Sequence, residues 1–233
     1  MIRTISAIEN IAELIGCCHR IDNTFLVGLL HSANLKTEDF IQYQNYNHDP
    51  VLSYGRKVVF EGPNYIIYVM SWAPGDFTAI HSHGYSDWGS VVFFSDTNHR
   101  LYHAEGRKIN LAEKSIIPKG SIVPVKGDFV HAMGNLTDKP LITLHIYGSE
   151  KPISNANDFS EVYELEKKQV RTTNGAAYIN ISEEFCKRTD HGLLTDVETL
   201  VDYLQIILPY YKKNKISSVV ERIQGYVVDP KSY

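Results

Sequence analysis

Between residues 51 and 147 the chain is cut into short β-rich runs by turn residues, and this punctuation limits the fold more than any other feature. The runs are 57–60, 65–71, 90–94, 99–104, 108–110, 115–117, 121–125 and 141–147. Gly62-Pro63, Pro74-Gly75, Gly106, Pro118-Lys119-Gly120 and Asp138-Lys139-Pro140 fall between them, where glycine supplies positive φ and proline fixes its own. Short strands at this spacing predict an all-β core of barrel or jelly-roll type. Asn174-Gly175, flanked by apolar 162–165 and 177–181, predicts one more hairpin with its turn at that dipeptide.

The flanks read as helical. Ile8, Ile11, Leu14 and Ile15 recur at helical spacing behind Ser6 and Glu9, a capping-box pair. A second segment runs through Phe25, Leu26, Leu29 and Leu30, and a third starts near Thr37 with acidic Glu38 and Asp39 in its first turn. Near the other end Thr195 or Asp196 caps a stripe of Val197, Leu200, Val201, Leu204, Ile207 and Leu208, which Pro209 is expected to stop. The expected organisation is one domain with appendages: helical 1–50, barrel 51–181 and a helical extension 182–233. That last stripe must be buried against either the barrel or a second subunit, so a homo-oligomer through the C-terminal helix is one expectation.

With 233 residues and 43% hydrophobic content, the chain can bury a full core. A net charge of -4 with no basic cluster longer than Lys212-Lys213 argues against nucleic acid or an anionic membrane as partner. The apolar runs fall short of the roughly 18–20 residues needed to span a bilayer, and the N-terminus lacks the pattern of a signal peptide. A cytoplasmic protein acting on a small molecule is expected. Cys17, Cys18 and Cys186 form no disulfide framework or zinc spacing and read as free thiols.

Residues 72–84 read as a turn and short strand that delivers His81 and His83. Side chains two residues apart on a strand share a face, which is the geometry of a shared metal. His131 follows in 127–135 as a third imidazole after further strand and turn signals. Thr143, His145 and Tyr147 alternate along one predicted strand and can form a hydrogen-bonded row. His19, His31 and His48 receive no role, and His99 and His103 read as structural or surface residues.

Gly75, then His81-x-His83, then His131-x3-Asn135 resembles the two-part signature of the cupin superfamily, small double-stranded β-barrels with a metal in the mouth. Within it, residues 35–180 resemble the cysteine dioxygenase family. The matching elements are Tyr54-Gly55-Arg56, the His81-Ser82-His83 stretch after Trp-x-Pro-Gly, the His131 segment with Asn135, and Thr143 to Tyr147. The resemblance implies Fe(2+) held by His81, His83 and His131. It also implies a thiol acid anchored through its carboxylate by Arg56 beside Tyr54, and O2 as co-substrate. Tyr147 would donate a hydrogen bond or proton, supported by His145 and Thr143, where the family usually has serine in place of this threonine. The implied product is a sulfinic acid, as cysteine sulfinate from L-cysteine.

Where cupins generally carry a glutamate ligand this chain has Trp88, so the neutral three-histidine set is favoured; Asp87 or His145 as a fourth ligand is the alternative. In the family the place of Trp88 is a cysteine crosslinked to the tyrosine, or a glycine. Trp88 is therefore expected to line and narrow the substrate channel. The alternatives for function are a 3-mercaptopropionate or other thiol dioxygenase, a three-histidine iron oxygenase of a non-thiol substrate, and a non-catalytic metal-binding cupin. Arg56 tilts the choice to cysteine, because family members preferring 3-mercaptopropionate usually lack it.

Overall fold

A computed structural model describes residues 6–152 and 155–228. Helices α1 (Ala7–Gly16) and α2 (Asn23–Ser32) and a 3-10 segment (Thr37–Tyr43) come first. Strands β1 (Gly55–Glu61), β2 (Tyr65–Trp72), β3 (Ile80–His81), β4 (Trp88–Phe93), β5 (Thr97–Glu105) and β6 (Lys108–Ile117) follow. The sheets are completed by β7 (Ile122–Pro124), β8 (His131–Gly134), β9 (Leu141–Gly148), β10 (Ser160–Glu164), β11 (Gln169–Thr173) and β12 (Cys186–His191), before α3 (Val197–Lys213) and α4 (Ser217–Val228). Five strands form one sheet in the order β1-β2-β9-β4-β7, and seven form the other in the order β12-β11-β10-β3-β8-β5-β6. The pairings within both sheets are antiparallel. This is the double-stranded β-barrel that the turn punctuation predicts.

Strand alternation sorts the apolar residues into two cores. On β2, Ile66, Tyr68, Met70 and Trp72 face inward, joining Val91, Phe93, Ala132, Met133 and Val162 between the sheets. Tyr65, Ile67 and Val69 face outward, where Trp88, Val92, Ile142, Leu144 and Ile146 meet Ile8, Ile11, Ile15, Leu26 and Leu30 of the first two helices. The helices thus cover the outside of the five-stranded sheet, and β2, β4 and β9 are buried along their whole length. Helix α1 begins where the capping box predicts: Ser6 Oγ accepts from Glu9 N at 3.2 Å, and Glu9 Oε2 accepts from Ser6 N at 2.9 Å.

Three expectations are corrected. The hairpin of β10 and β11 is present, but it turns through a 3-10 segment (Leu165–Lys167) and Lys168, which takes the left-handed conformation at φ 51. Asn174 and Gly175 instead follow the end of β11, with Gly175 at φ +94. The extension does not begin as helix at 182, because residues 186–191 form β12 and add an edge to the larger sheet. Pro209 lies inside α3 rather than ending it. The helix loses one backbone bond there, yet the next residues are anchored: Tyr210 donates to the Val51 carbonyl at 2.7 Å and Tyr211 to Glu166 Oε1 at 2.9 Å.

Tyr203 donates to the other oxygen of Glu166 at 2.7 Å, and Leu200, Leu204 and Ile207 join the core between the sheets. The amphipathic stripe of α3 is therefore buried from Leu200 onward against the barrel of its own chain, while Val197 at its start is exposed. Among the described residues no helix is long and apolar enough to cross a membrane.

Candidate metal centre

Strand β3 is two residues long and is held on both sides: His81 is paired with Val162 of β10 and with His131 of β8. Just beyond it, the His83 N–H donates to the Gly127 carbonyl at 3.0 Å, which keeps His83 on the same face as His81. The turn before β3 is clamped by the second half of the motif. Gly75 N donates to Asn135 O and Asn135 N to Asp76 O, both at 2.8 Å, while the Asn135 side-chain amide donates to the carbonyls of Trp72 and Lys139. Gly75 sits at φ +86, a conformation that favours glycine.

The three imidazoles form a near-equilateral set with ring centroids 4.7, 4.9 and 4.9 Å apart, and one nitrogen from each lies within 4.8 Å of the others. Each Nδ1 is already used. That of His81 faces the Ala79 carbonyl at 3.0 Å, that of His83 the Phe129 carbonyl at 3.1 Å, and that of His131 the His99 Nε2 at 2.9 Å. The carbonyl contacts place the protons of His81 and His83 on Nδ1, and His131 matches them when its Nδ1–H donates to His99 Nε2; Nε2 is then the free lone pair on each, the arrangement in which metal-binding histidines are commonly held. His83 Nε2 is buried without a partner. Burial also lowers the pKa of all three, His81 to about 4 and His83 and His131 well below the usual histidine range. Three neutral imidazoles with converging lone pairs fit a divalent metal ion.

The row on β9 assembles as its alternation predicts, with one further member. Trp72 Nε1, which can only donate, lies 2.9 Å from Thr143 Oγ1. Thr143 Oγ1 is 2.7 Å from His145 Nε2, and His145 Nδ1 is 2.8 Å from Tyr147 Oη. Trp72 is the fixed donor at one end; in the tautomer in which Thr143 gives its proton to His145 Nε2, His145 Nδ1–H donates to the tyrosine oxygen. The Tyr147 proton is then free to point into the cavity, where its ring lies 5.3 Å from that of His83. Burial raises the phenol pKa, so the proton stays on at neutral pH. Both nitrogens of His145 are engaged, and burial lowers its pKa to about 3. It is therefore not a fourth ligand.

Arg56 reaches the same cavity. Its Cζ lies 4.1 Å from the Tyr68 ring centroid, Nη1 donates to the Gly175 carbonyl at 3.0 Å, and Nε is buried without a partner. Tyr54 forms the neighbouring wall, stacked on Trp72 at 4.9 Å and tilted against Tyr178 at 4.8 Å. The cavity enclosed by these groups has a volume of about 20 Å³, room for an ion with about one water.

One sequence-based assignment fails, and one alternative falls with it. Trp88 does not line the cavity: it faces outward into the helix-covered core, 6.2 Å from the Tyr65 ring. The residue opposite Tyr147 is Gly89, where a Cβ would come 2.9 Å from the tyrosine ring. Asp87 does not turn toward the histidines either, since its Oδ2 accepts from Ser149 Oγ at 2.9 Å and from Glu150 N at 2.8 Å. Among the described residues His81, His83 and His131 are the only group of three or more histidine, cysteine or acidic residues able to hold a metal.

His99 was expected to be structural or surface, and it proves to be the buried partner of His131, its own pKa lowered by burial to about 4. The pairing is diagonal across β5 and β8, where Leu101 is the residue directly opposite His131, so only the register could have found it. His103 is exposed, as are His19 and His31. His48 is a satisfied core residue, bonded to Asp76 at 2.8 Å.

No protein-family model matches the chain. Solved structures similar to part of it include an uncharacterized conserved protein with a double-stranded beta-helix domain from Klebsiella pneumoniae, 21% identical, covering 43% of this chain and 80% of that one with a TM-score of 0.34. An RmlC-like cupin protein from Desulfovibrio desulfuricans is 16% identical over 41% of this chain and 81% of that one, with a TM-score of 0.33. The oxalate decarboxylase of Lactobacillus farciminis, as a formate complex, is 17% identical over 43% of this chain and 30% of that one, with a TM-score of 0.36. Strand order and the two cores carry the fold assignment: a two-sheet antiparallel β-barrel of cupin type, with a buried three-histidine group suited to a metal ion.

Proposed function

We propose that the protein is an iron(II)-dependent thiol dioxygenase that converts a small thiol acid, L-cysteine in the first instance, to its sulfinic acid. The observation that carries this is the convergence on one cavity of three neutral imidazoles, a guanidinium with an unspent N–H, and a phenol held by a hydrogen-bonded row. A ferrous ion held by His81, His83 and His131 would supply two things: adjacent binding positions for a thiolate and O2, and the one-electron chemistry that makes O2 reactive. The net change, R–SH + O2 to R–SO2H, balances without any further reductant.

The chain's own residues supply the rest. Neutral ligands leave the ion's charge uncompensated, which favours an anionic thiolate. The fixed Arg56 fork suits a carboxylate, and Tyr68 beneath it holds the guanidinium plane. Tyr147, oriented by His145, can donate to oxygen or sulfur as charge develops there. Water is excluded by burial, and the unbranched side chains of Met70 and Met133, which line the cavity, are those best able to yield to a substrate. The three unpaired cysteines suit a reducing compartment, and the proposal places the reaction in the cytoplasm.

Oxygen uptake by anaerobically iron-loaded protein tests this, with L-cysteine, 3-mercaptopropionate, cysteamine and a thiol-free control, coupled to mass detection. A gain of two oxygen atoms on one thiol is expected. Full iron occupancy with no uptake on any thiol would overturn the proposal.

A further inference from the structure

Three buried polar atoms that face no partner belong to residues lining the same cavity: His83 Nε2, Arg56 Nε and Asn157 Oδ1. The first is a lone pair for a metal and the second a donor for an anion. The third is an acceptor that neither the family resemblance nor the mechanism above uses. We propose that Asn157 receives an N–H of the bound ligand's amino group, so that the site selects α-amino thiol acids over thiol acids lacking the amine. This rests on the thiol-acid reading above and adds to it the residue that recognises the amine.

The orientation of the Asn157 amide follows from its neighbours. Ser86 Oγ gives its proton to the Ala156 carbonyl at 3.2 Å, so it can only accept from Asn157, whose Nδ2 lies 3.2 Å away. The oxygen is therefore the atom left over. Asn157 is 4% exposed, and its backbone is fixed: Asn157 N donates to Asn155 Oδ1 at 3.0 Å, and its carbonyl accepts from Ser160 Oγ at 2.6 Å. An uncompensated buried acceptor is costly, and a ligand N–H relieves that cost only when the ligand carries one.

Position points to the same ligand. Gly175 stands between the two groups: its carbonyl accepts from Arg56 Nη1, while a Cβ on it would come 2.7 Å from Asn157 Cβ. Arg56 and Asn157 thus both border Gly175 in the wall of one cavity, so a ligand held by the guanidinium lies in the cavity that Asn157 lines.

The test is binding under nitrogen to protein loaded with redox-inert zinc, followed by calorimetry. Two ligand pairs differ only in the amine: L-cysteine against 3-mercaptopropionate, and L-serine against 3-hydroxypropionate. The amine-bearing member is expected to bind at least about tenfold tighter in both pairs, the scale of one buried hydrogen bond. Asn157→Ala should bring the ratio near one by weakening that member alone. Asn157→Asp, equal in shape and still an acceptor, should weaken both acids and keep the ratio. A ratio near one in the unaltered protein, or a tenfold ratio that survives Asn157→Ala, would overturn the assignment. The thiol-free pair separates the two proposals: preference for L-serine with no oxygen uptake on thiols would sink the reaction class alone, whereas thiol oxidation without amine preference would sink only the role of Asn157.

Discussion

The inner and outer faces of β9 are equally buried and chemically opposite. Thr143, His145 and Tyr147 face the barrel interior, and Ile142, Leu144 and Ile146 face the helices, all within 3% exposure. Outward, burial is stabilising on its own, at about 25 cal/mol per Å² of apolar surface. Inward, burial is tolerable only because the side-chain oxygens and ring nitrogens of the row lie 2.7–2.8 Å from the next member. One strand thus serves as adhesive on one side and carries a hydrogen-bonded polar row on the other. The parity of a single residue decides which.

The largest expected difference between the faces comes from acid. The imidazoles of His81, His99 and His145 have folded pKa values lowered to about 4, 4 and 3, with those of His83 and His131 also lowered. A histidine depressed in this way contributes stability that is fully present above its unfolded value near 6.5 and is lost as pH falls through the folded value. The metal-free protein should lose several kcal/mol between pH 6.5 and 4, read as a falling denaturation midpoint. The outward face contributes nothing to that slope.

His83→Ala should abolish stoichiometric metal binding, measured by elemental analysis, while leaving the helix-covered core and its secondary structure in place. Trp88→Ala reverses the pattern: a stability loss of about 3–5 kcal/mol with metal stoichiometry unchanged. A large change in substrate preference without destabilisation would return Trp88 to the channel. Tyr147→Phe should lower turnover by about 10²–10³-fold if the phenol proton stabilises developing charge, with metal and substrate affinity retained. His99→Leu, the mildest, should weaken metal affinity by about 10–100-fold, the usual effect of removing a ligand's supporting partner.

What the sequence discloses divides along the same line. Regularities that repeat within a few residues were legible: the Ser6–Glu9 box, the His81-x-His83 pair, and the alternation of 143, 145 and 147. Trp88 was misplaced because both faces of β4 are buried and the strand's polar residue, Ser90, lies on the outward face with it, so alternation did not say which side faced the cavity. His99, Trp72 and Asn157 reach the site through diagonal or long-range neighbours, a matter of register that one chain does not display. Asn174-Gly175 has the composition of a hairpin turn, but the β10–β11 register fixed by Tyr163 opposite Val170 puts the turn at 165–168. Pro209 obeys its local chemistry and is overruled by the buried tyrosines that follow it.

Strand β3 gives the site a dependence on order of synthesis. His81 and His83 emerge early, but the strand carrying them is two residues long and is held by β8 at 131–134 and by β10 at 160–164. At a ribosomal pace of roughly 5–20 residues per second, about 4–16 s separate the first ligands from the last strand that fixes them. During that interval the imidazoles belong to a chain without a cage. Capture of an ion by these three imidazoles would thus be a late event in the life of each molecule, following the arrival of its second flank rather than the appearance of the histidines themselves.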